Sequence, residues 1–394
     1  MTGLRGPYQD RLEILASEEV VEARLDAWAA RGSVDRLGPW RRVYGKLRPG
    51  RSPWAVLVYD AVGAPTVQVR LLEGGVPAAG GPAASPDTDG LGRVEVVECA
   101  ADPMLPGLPA VLAALDTPRV VRYHPGQRCT VEGGRGSAVH YVKVLSEAVD
   151  DQEEARHRWA ASVSGGLSFT VAEPHGWDER SMSSWYGVVP GTPARADLFG
   201  PQGAALAGRI GACLGELAVA PLRPARQADA AVQVARTERG VARAVAAAPV
   251  LAPGLTRAAD ALRRAHDRTT TRALVPVHGA PHLGQWLVDE SGRLGLVDFD
   301  RFAWGEPEFD LATVVVDLRS SSPGPSTDEL ETAVADGFRA VAGDFDARLF
   351  ELYVMHKRLA KVVTTACALR PDAEERASRR LEELLSSFRR SAAR

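Results

Sequence analysis

The sequence predicts an α+β chain of two lobes, strand-rich in its first half and mostly helical in its second. Three observations carry this expectation. Before residue 146, short runs alternate apolar and polar residues, the period of half-buried strands. After residue 201, apolar residues recur at helical spacing. Within the helical part, residues 274–303 read as a loop-and-hairpin unit instead.

Taken in order, the elements begin with a short helix at roughly 16–31, "ASEEVVEARLDAWAAR". "PWAVLVYD" and "PTVQVRLL" follow across a short connector containing Gly63 and Pro65, a hairpin signal. Residues 73–92 are rich in Gly and Pro and poor in large apolar residues. They are expected to form a flexible surface loop, because they cannot bury enough to offset ordering entropy. "RVEVVEC" resumes as a strand. From Arg119, "RVVRYHPGQRCTVEGG" reads as strand, tight turn, strand, and "AVHYVKVL" as a third strand ending near Lys143. The acidic run "DDQEEARHRWAAS" is helix-compatible. "FTVAEPHGWDE" and "SMSSWYGVVPGTPA" supply two more strands, the second broken by Pro190 and Gly191. Helices are expected at "GAALAGRIGACLGELAVA", at "PGLTRAADALRRAHDRT" and from about residue 307 onward. A five-strand unit with one helix, then a mostly helical unit holding a polar hairpin, is the outline of a bilobal kinase fold.

Bulk properties narrow the function. The 394 residues are enough for two lobes with real cores, and 45% hydrophobic with 25% charged residues is ordinary globular composition. A formal charge of -3 leaves no electrostatic footprint for nucleic acid. The six arginines of "RASRRLEELLSSFRRSAAR" read as the solvated face of a last helix. Cys99, Cys129, Cys213 and Cys367 lie far apart without zinc spacing, as expected of reduced thiols in a cytoplasmic protein. The opening residues lack the apolar core of a signal peptide, and no run of ~18 apolar residues predicts a membrane span.

The chemistry is concentrated in "HGAPHLGQW" (278–286) and "LVDFDRF" (296–302). Asp298 ends the apolar strand "LGLV", where a carboxylate can take Mg²⁺, a hard cation that prefers oxygen ligands. Gln285, just before "WLVD", offers an amide oxygen, and a hairpin through "ESGR" would bring the two together. Lys143, on an alternating strand, would pair nucleotide phosphates, oriented by Glu154 or Glu153 of the acidic run. Val189 is a further nucleotide-contact candidate. The turn "HPGQ" is expected to lie over the phosphates and present backbone N–H groups.

The stretch 276–318, "PVHGAPHLGQWLVDESGRLGLVDFDRFAWGEPEFDLATVVVDL", resembles the aminoglycoside phosphotransferase and choline kinase family. "HLGQ" looks most like the version found in maltokinases, and "RYHPGQR…HYVKVL" resembles the small lobe of the same group. The resemblance implies a bilobal protein-kinase-like fold with a β-rich cap at 1–118, a five-stranded small lobe at 119–192, and a helical large lobe at 193–394 carrying the catalytic loop 276–303. It implies ATP and Mg²⁺ as cofactors, a hydroxyl acceptor, a bracing role for His278, and Asp310 anchoring backbone N–H groups of the loop.

One position departs from the family's pattern. Where the catalytic loop normally carries the aspartate that takes the acceptor's proton, this chain has Ala280. Four readings follow. The base lies elsewhere, with Asp300 first and His282 second as candidates. The chain is a nucleotide-binding pseudokinase holding a protein partner. It is a base-inactivated form of an ordinary kinase. Or it phosphorylates Ser or Thr of a precursor peptide, with a partner such as a lyase docking on the N-terminal region. A sugar or aminoglycoside acceptor calls for acidic residues in the C-terminal helices, and "STDELETAVADGF" supplies some.

Overall fold

The computed structural model describes residues 12–392 apart from 14, 35, 50, 52, 73–92, 147–165, 270–272 and 322–324. Helix α1 (Glu18–Gly32) buries Val21, Leu25 and Ala29, three to four residues apart, as the sequence spacing requires. It covers an antiparallel sheet of β1 (Arg41–Leu47), β2 (Ala55–Asp60), β3 (Val67–Leu72) and β4 (Arg93–Glu98), in that order. Strand β1 has no sequence signal because a bulge between Arg42 and Tyr44 breaks its period of two. The glycine- and proline-rich loop expected at 73–92 lies outside the described residues.

Helix α2 (Leu108–Ala114), too short to show a period, leads into a second sheet. Here β5 (Asp116–His124), β6 (Arg128–Arg135), β7 (Ala138–Leu145), β9 (Pro174–Asp178) and β10 (Ser183–Tyr186) run in the order β5-β6-β7-β10-β9. Strand β7 runs two residues beyond Lys143. The run expected as one strand from Phe169 is divided: β8 (Thr170–Val171) pairs parallel to a strand of the helical half, while β9 stays in the five-stranded sheet. Pro174, which has no N–H to donate, opens the second piece.

The helical half contains α3 (Gly203–Val219), α4 (Ala230–Ala247), α5 (Ala252–His266), α6 (Pro307–Ser321), α7 (Pro325–Ala342), α8 (Ala347–Ala366) and α9 (Ala373–Ala392). Helices α3 and α7 pack at glycines. A Cβ on Gly211 would strike the Val334 carbonyl, and one on Gly337 the Gly208 carbonyl, so the helices approach at backbone distance. The polar unit folds as β12 (Val275–Val277), β13 (Trp286–Val288), β14 (Leu294–Leu296) and β15 (Ala303–Gly305). Strands β13 and β14 form the central hairpin of the sheet β11-β13-β14-β8, with β11 (Thr192–Pro193) at one edge, while β12 pairs with β15. Because β8 leaves and the chain returns to β9, the two halves share a continuous backbone at their junction.

The N-terminal sheet touches both halves. Val58 of β2 is buried with Tyr123, Cys129 and Val142 of the five-stranded sheet. The Leu47 N–H donates to the Cys367 carbonyl at 2.9 Å, just past α8, and Leu369 joins the core under α1. All four cysteines are buried and unpaired. Among the described residues, no helix is long and apolar enough to cross a membrane.

Candidate active site

Hairpin β13–β14 pairs Trp286 with Leu296 and Val288 with Leu294. Its turn is set by Asp289, whose carboxylate accepts from the N–H groups of Ser291 and Arg293 at 2.9 and 2.8 Å. Gln285 precedes the first strand and Asp298 follows the second, so the register brings them face to face. Gln285 Nε2 lies 3.0 Å from Asp298 Oδ2, and Gln285 Oε1 accepts from the His282 N–H at 2.9 Å. Asp298 has φ 72, a left-handed conformation that a non-glycine residue adopts only where its surroundings impose it. That turn aims the carboxylate away from the hairpin and towards the five-stranded sheet.

Lys143 meets it from that sheet. The ammonium donates to Asp298 Oδ1 at 2.6 Å and to Asp300 Oδ1 at 2.5 Å. The Tyr186 ring lies 5.6 Å from the same ammonium. Arg128 completes the cluster, donating to Asp300 Oδ2 at 2.5 Å. Burial alone would lower the Lys143 pKa, but the carboxylates of Asp300 and Asp298 outweigh it and hold it above the usual lysine value. For Asp298, burial pushes the carboxyl up, and Lys143 with Arg128 outweighs that and holds it well below the usual range. Both groups therefore stay ionised across the physiological range.

The loop before the hairpin is tied from below. Asp310, in the first turn of α6, accepts from the backbone N–H groups of His278 at 2.6 Å and Gly279 at 2.9 Å. Gly279 has φ +81, and a Cβ there would run into the Arg301 carbonyl, so only glycine fits. His278 is fully buried. Its Nδ1 accepts from the Ala280 N–H at 3.3 Å, which leaves Nε2 protonated and donating to the Val297 carbonyl at 3.1 Å. Burial holds its pKa down at about 4, so the ring is neutral and structural. Burial also lifts Asp310 above the usual carboxylate range and draws its neighbour Lys357 below the usual lysine range.

Ala280 is buried at 6% exposure. Two residues on, His282 Nδ1 lies 3.2 Å from Asp317 Oδ2 on α6, and the imidazole is half exposed. Lys361 of α8 donates to the other oxygen of Asp317 at 2.6 Å. Burial pushes the Asp317 carboxyl up, but His282 and Lys361 outweigh it and hold it far below its usual range. A carboxylate fixed in this way orients an imidazole, leaving its other nitrogen available to a substrate proton.

Among the residues singled out from sequence, Lys143, Gln285, Asp298 and Asp300 converge, with His282 on the adjoining loop. Val189 is instead buried against Gly295 of β14. Glu154 and Glu153 lie outside the described residues. The "HPGQ" turn is not free to present its N–H groups. Gly126 N–H donates to Asp102 at 2.7 Å and Gln127 N–H to the His124 carbonyl at 3.0 Å, while Arg48 holds the Pro125 carbonyl. What β6 offers the cleft is the Arg128 guanidinium. Two of the four acidic residues of α7 are engaged: Arg319 clasps both oxygens of Glu331 at 2.7 Å, and Arg339 holds Asp336 at 2.9 Å.

Arg128, Asp317, Lys357 and Lys361 escaped sequence reasoning. Their signals are periodicities. Arg128 and Thr130 share a strand face, and Thr130 sits opposite Lys143. Asp317 is two helical turns beyond Asp310, and Lys361 is one turn beyond Lys357.

The residues fit a hard divalent cation. Asp298 and Asp300 already close on one cationic atom, the Lys143 nitrogen, which stands where a cation would draw both carboxylates. The Gln285 amide would add its oxygen by turning over. Among the described residues, no group of three or more His, Cys, Asp or Glu forms an all-protein metal cage. Two carboxylates and an amide oxygen are hard oxygen ligands of the kind Mg²⁺ takes.

Comparison with known proteins bears on the family and the fold. The family model for the phosphotransferase enzyme family, APH, matches residues 131–350. Among solved structures, the chain is similar to a choline kinase from Streptococcus pneumoniae at 11% identity over 71% of this chain and 96% of that one, with TM-score 0.52. It is similar to an amicoumacin kinase in complex with AMP-PNP and Ca²⁺ at 14% identity over 71% and 92%, with TM-score 0.55. It is also similar to a microcompartment-associated aminopropanol kinase at 18% identity over 72% and 96%, with TM-score 0.55. At these identities the likeness is one of fold, and it is the bilobal kinase-like fold with a helical C-terminal part. Comparison with curated protein sequences gives no match. With the family match spanning more than half of its length, the chain belongs to the phosphotransferase enzyme family.

Proposed function

We propose that the chain is an ATP- and Mg²⁺-dependent phosphotransferase that phosphorylates a hydroxyl, on a small molecule or on Ser or Thr of a precursor peptide. The observation that carries this reading is the meeting of Lys143, from the five-stranded sheet, with Asp298 and its neighbour Gln285, from the hairpin of the helical half. Phosphoryl transfer needs positioning and charge neutralisation more than covalent help, and these residues supply both. Mg·ATP would bring the transferable phosphoryl group and a cation to polarise it. Lys143 and Arg128 would turn from the aspartates to the phosphates, and Asp298 with the Gln285 amide oxygen would hold the cation.

The acceptor's proton needs another destination than residue 280. Both oxygens of Asp300 are taken by cations, whereas His282 is oriented by Asp317 and its imidazole is half exposed. The geometry therefore favours His282 over Asp300, reversing the order suggested by sequence, as the group that accepts the proton. General-base help of this kind contributes roughly 10²–10⁴-fold. The "HLGQ" version of the loop resembles that of maltokinases, which points to polyols as one acceptor class.

Ala280 itself favours a second reading, a nucleotide-binding pseudokinase that works as a scaffold. One experiment separates the two. The protein is incubated with Mg²⁺, ATP labelled in its γ-phosphate, and pools of hydroxyl compounds and Ser/Thr peptides. Label transfer that is lost in Asp298→Asn supports the enzyme. Mg·ATP binding without transfer to any pool supports the scaffold.

A further inference from the structure

The turn between β5 and β6 is held from outside its own hairpin. Within the hairpin, the Gln127 N–H donates to the His124 carbonyl and the Ser146 N–H to the Gln127 carbonyl, both at 3.0 Å. Those bonds already close the turn. Two further backbone groups of it are taken by the N-terminal region. The Arg48 guanidinium donates to the Pro125 carbonyl, and Asp102 Oδ2 accepts from the Gly126 N–H at 2.7 Å. The Tyr44 ring of β1 also stands edge-on to His124, with centroids 5.4 Å apart.

The grip is built of fixed parts. Asp102 is 4% exposed, and its carboxylate also accepts from the Tyr123 hydroxyl at 2.6 Å and the Met104 N–H at 3.0 Å. A buried carboxylate that binds three donors is held in one orientation. Arg48 follows Leu47, whose N–H donates to the Cys367 carbonyl at the end of α8. The arm that reaches the turn is thus anchored to the helical half, which carries Asp298 and Asp300. Gly126, at φ +66, has no side chain of its own to hold it there.

Two residues past Gly126 comes Arg128, the first residue of β6. Its guanidinium and the Lys143 ammonium reach Asp300 from adjacent strands, each at 2.5 Å. Two cations meeting on one carboxylate mark where an oxyanion is gripped, and a nucleotide phosphate would be gripped by the same pair. A guanidinium carried at the end of a tight turn moves with that turn, and its paired donors tolerate little displacement.

We infer that Asp102 and Arg48 are positioning residues for the nucleotide: by fixing the Pro125–Gly126 turn against the helical half, they hold the Arg128 guanidinium at the phosphates. The inference rests on reading the cleft as a phosphotransferase site, and it makes the N-terminal region part of that site.

The test is calorimetric titration of the full chain with Mg·AMP-PNP in a double-mutant cycle. Arg48→Met and Asp102→Asn should each weaken binding by roughly fivefold or more. Arg48→Lys, which keeps a donor for the Pro125 carbonyl, should stay within about twofold of wild type. In an Arg128→Gln background, Arg48→Met and Asp102→Asn should change the affinity by less than about twofold, because they act through Arg128. A purely structural role would give equal losses in both backgrounds. Thermal unfolding verifies that each variant is folded, and Arg48→Met decides alone if Asp102→Asn, at a buried site, does not fold. Unchanged affinity in Arg48→Met, or a loss of the same size with and without Arg128, overturns the inference and leaves the phosphotransferase reading in place. A wild type that does not bind Mg·AMP-PNP at millimolar concentration removes that reading, and the inference falls with it.

Discussion

Lys143 and Asp298, 155 residues apart, are joined at 2.6 Å across the two halves of the molecule. Neither side chain is fully buried, and the same ammonium also holds Asp300. The contact ties the five-stranded sheet to the hairpin of the helical half.

Replacing this ammonium tests both roles. Lys143→Met leaves Asp298 and Asp300 with Arg128 as their remaining cation. We expect Mg·AMP-PNP affinity to fall by at least tenfold. Stability should drop by roughly 1–3 kcal/mol, below the figure for a fully buried pair because water screens this one. Chemical denaturation measures the second effect, and an unchanged midpoint contradicts the bridging role.

The proton acceptor can be identified by comparing three variants. His282→Gln should lower kcat by roughly 10²-fold or more while leaving Mg·ATP affinity within a few-fold. Asp300→Asn should weaken Mg·ATP binding as well as turnover, because Asp300 positions Lys143 and Arg128. Ala280→Asp should raise turnover by less than about tenfold if His282 already takes the proton. A gain of roughly 10²-fold or more would instead mean an intact site lacking only its base.

Acid should destabilise the fold in a defined order. The folded pKa of His278 is depressed to about 4, so folding favours the neutral ring. Its contribution is complete above its unfolded value of about 6.5 and is lost as pH falls towards 4, on the order of 3 kcal/mol. Burial acts in the same direction on His266, His356 and His124. Asp310, whose folded pKa is raised, opposes them between roughly pH 4 and 6. Below about pH 4 the depressed carboxyls of Asp298 and Asp317 add to the loss. The fall in Tm between pH 7 and 4.5 should be smaller in His278→Asn than in wild type. An equal fall removes His278 from this role.

The loop glycine gives a steric prediction. In Gly279→Ala the new Cβ meets the Arg301 carbonyl at a positive φ, which costs about 1–3 kcal/mol of backbone strain besides the contact. The expected outcome is a lower Tm together with weaker Mg·AMP-PNP binding, since the displaced loop carries Gln285. Wild-type values for both would contradict it.

How much of this was legible in the sequence depended on whether a signal was local. The hairpin that joins Gln285 to Asp298 could be read because turn and strands are contiguous. Lys143 was marked by its alternating strand. The Arg128–Asp300 pair spans 172 residues, and nothing local announces that a basic residue after a turn faces another lobe. Asp317 and Lys357 sit on helix faces whose periodicity shows that they share a side with Asp310 and Lys361, but only packing shows what that side touches. The "HPGQ" turn misled for the opposite reason. Its residues suit a phosphate cover, yet Asp102 from the N-terminal region takes its Gly126 N–H. Strand β1 was hidden by its bulge.

The most direct measurement is calorimetric titration of the wild-type chain with AMP-PNP, with and without Mg²⁺. Micromolar binding that requires Mg²⁺ is the predicted result, with Lys143, Gln285 and Asp298 as the working nucleotide site. No binding at millimolar AMP-PNP with Mg²⁺ present would contradict it, and the Lys143–Asp298 contact would then be a structural clasp between the two halves.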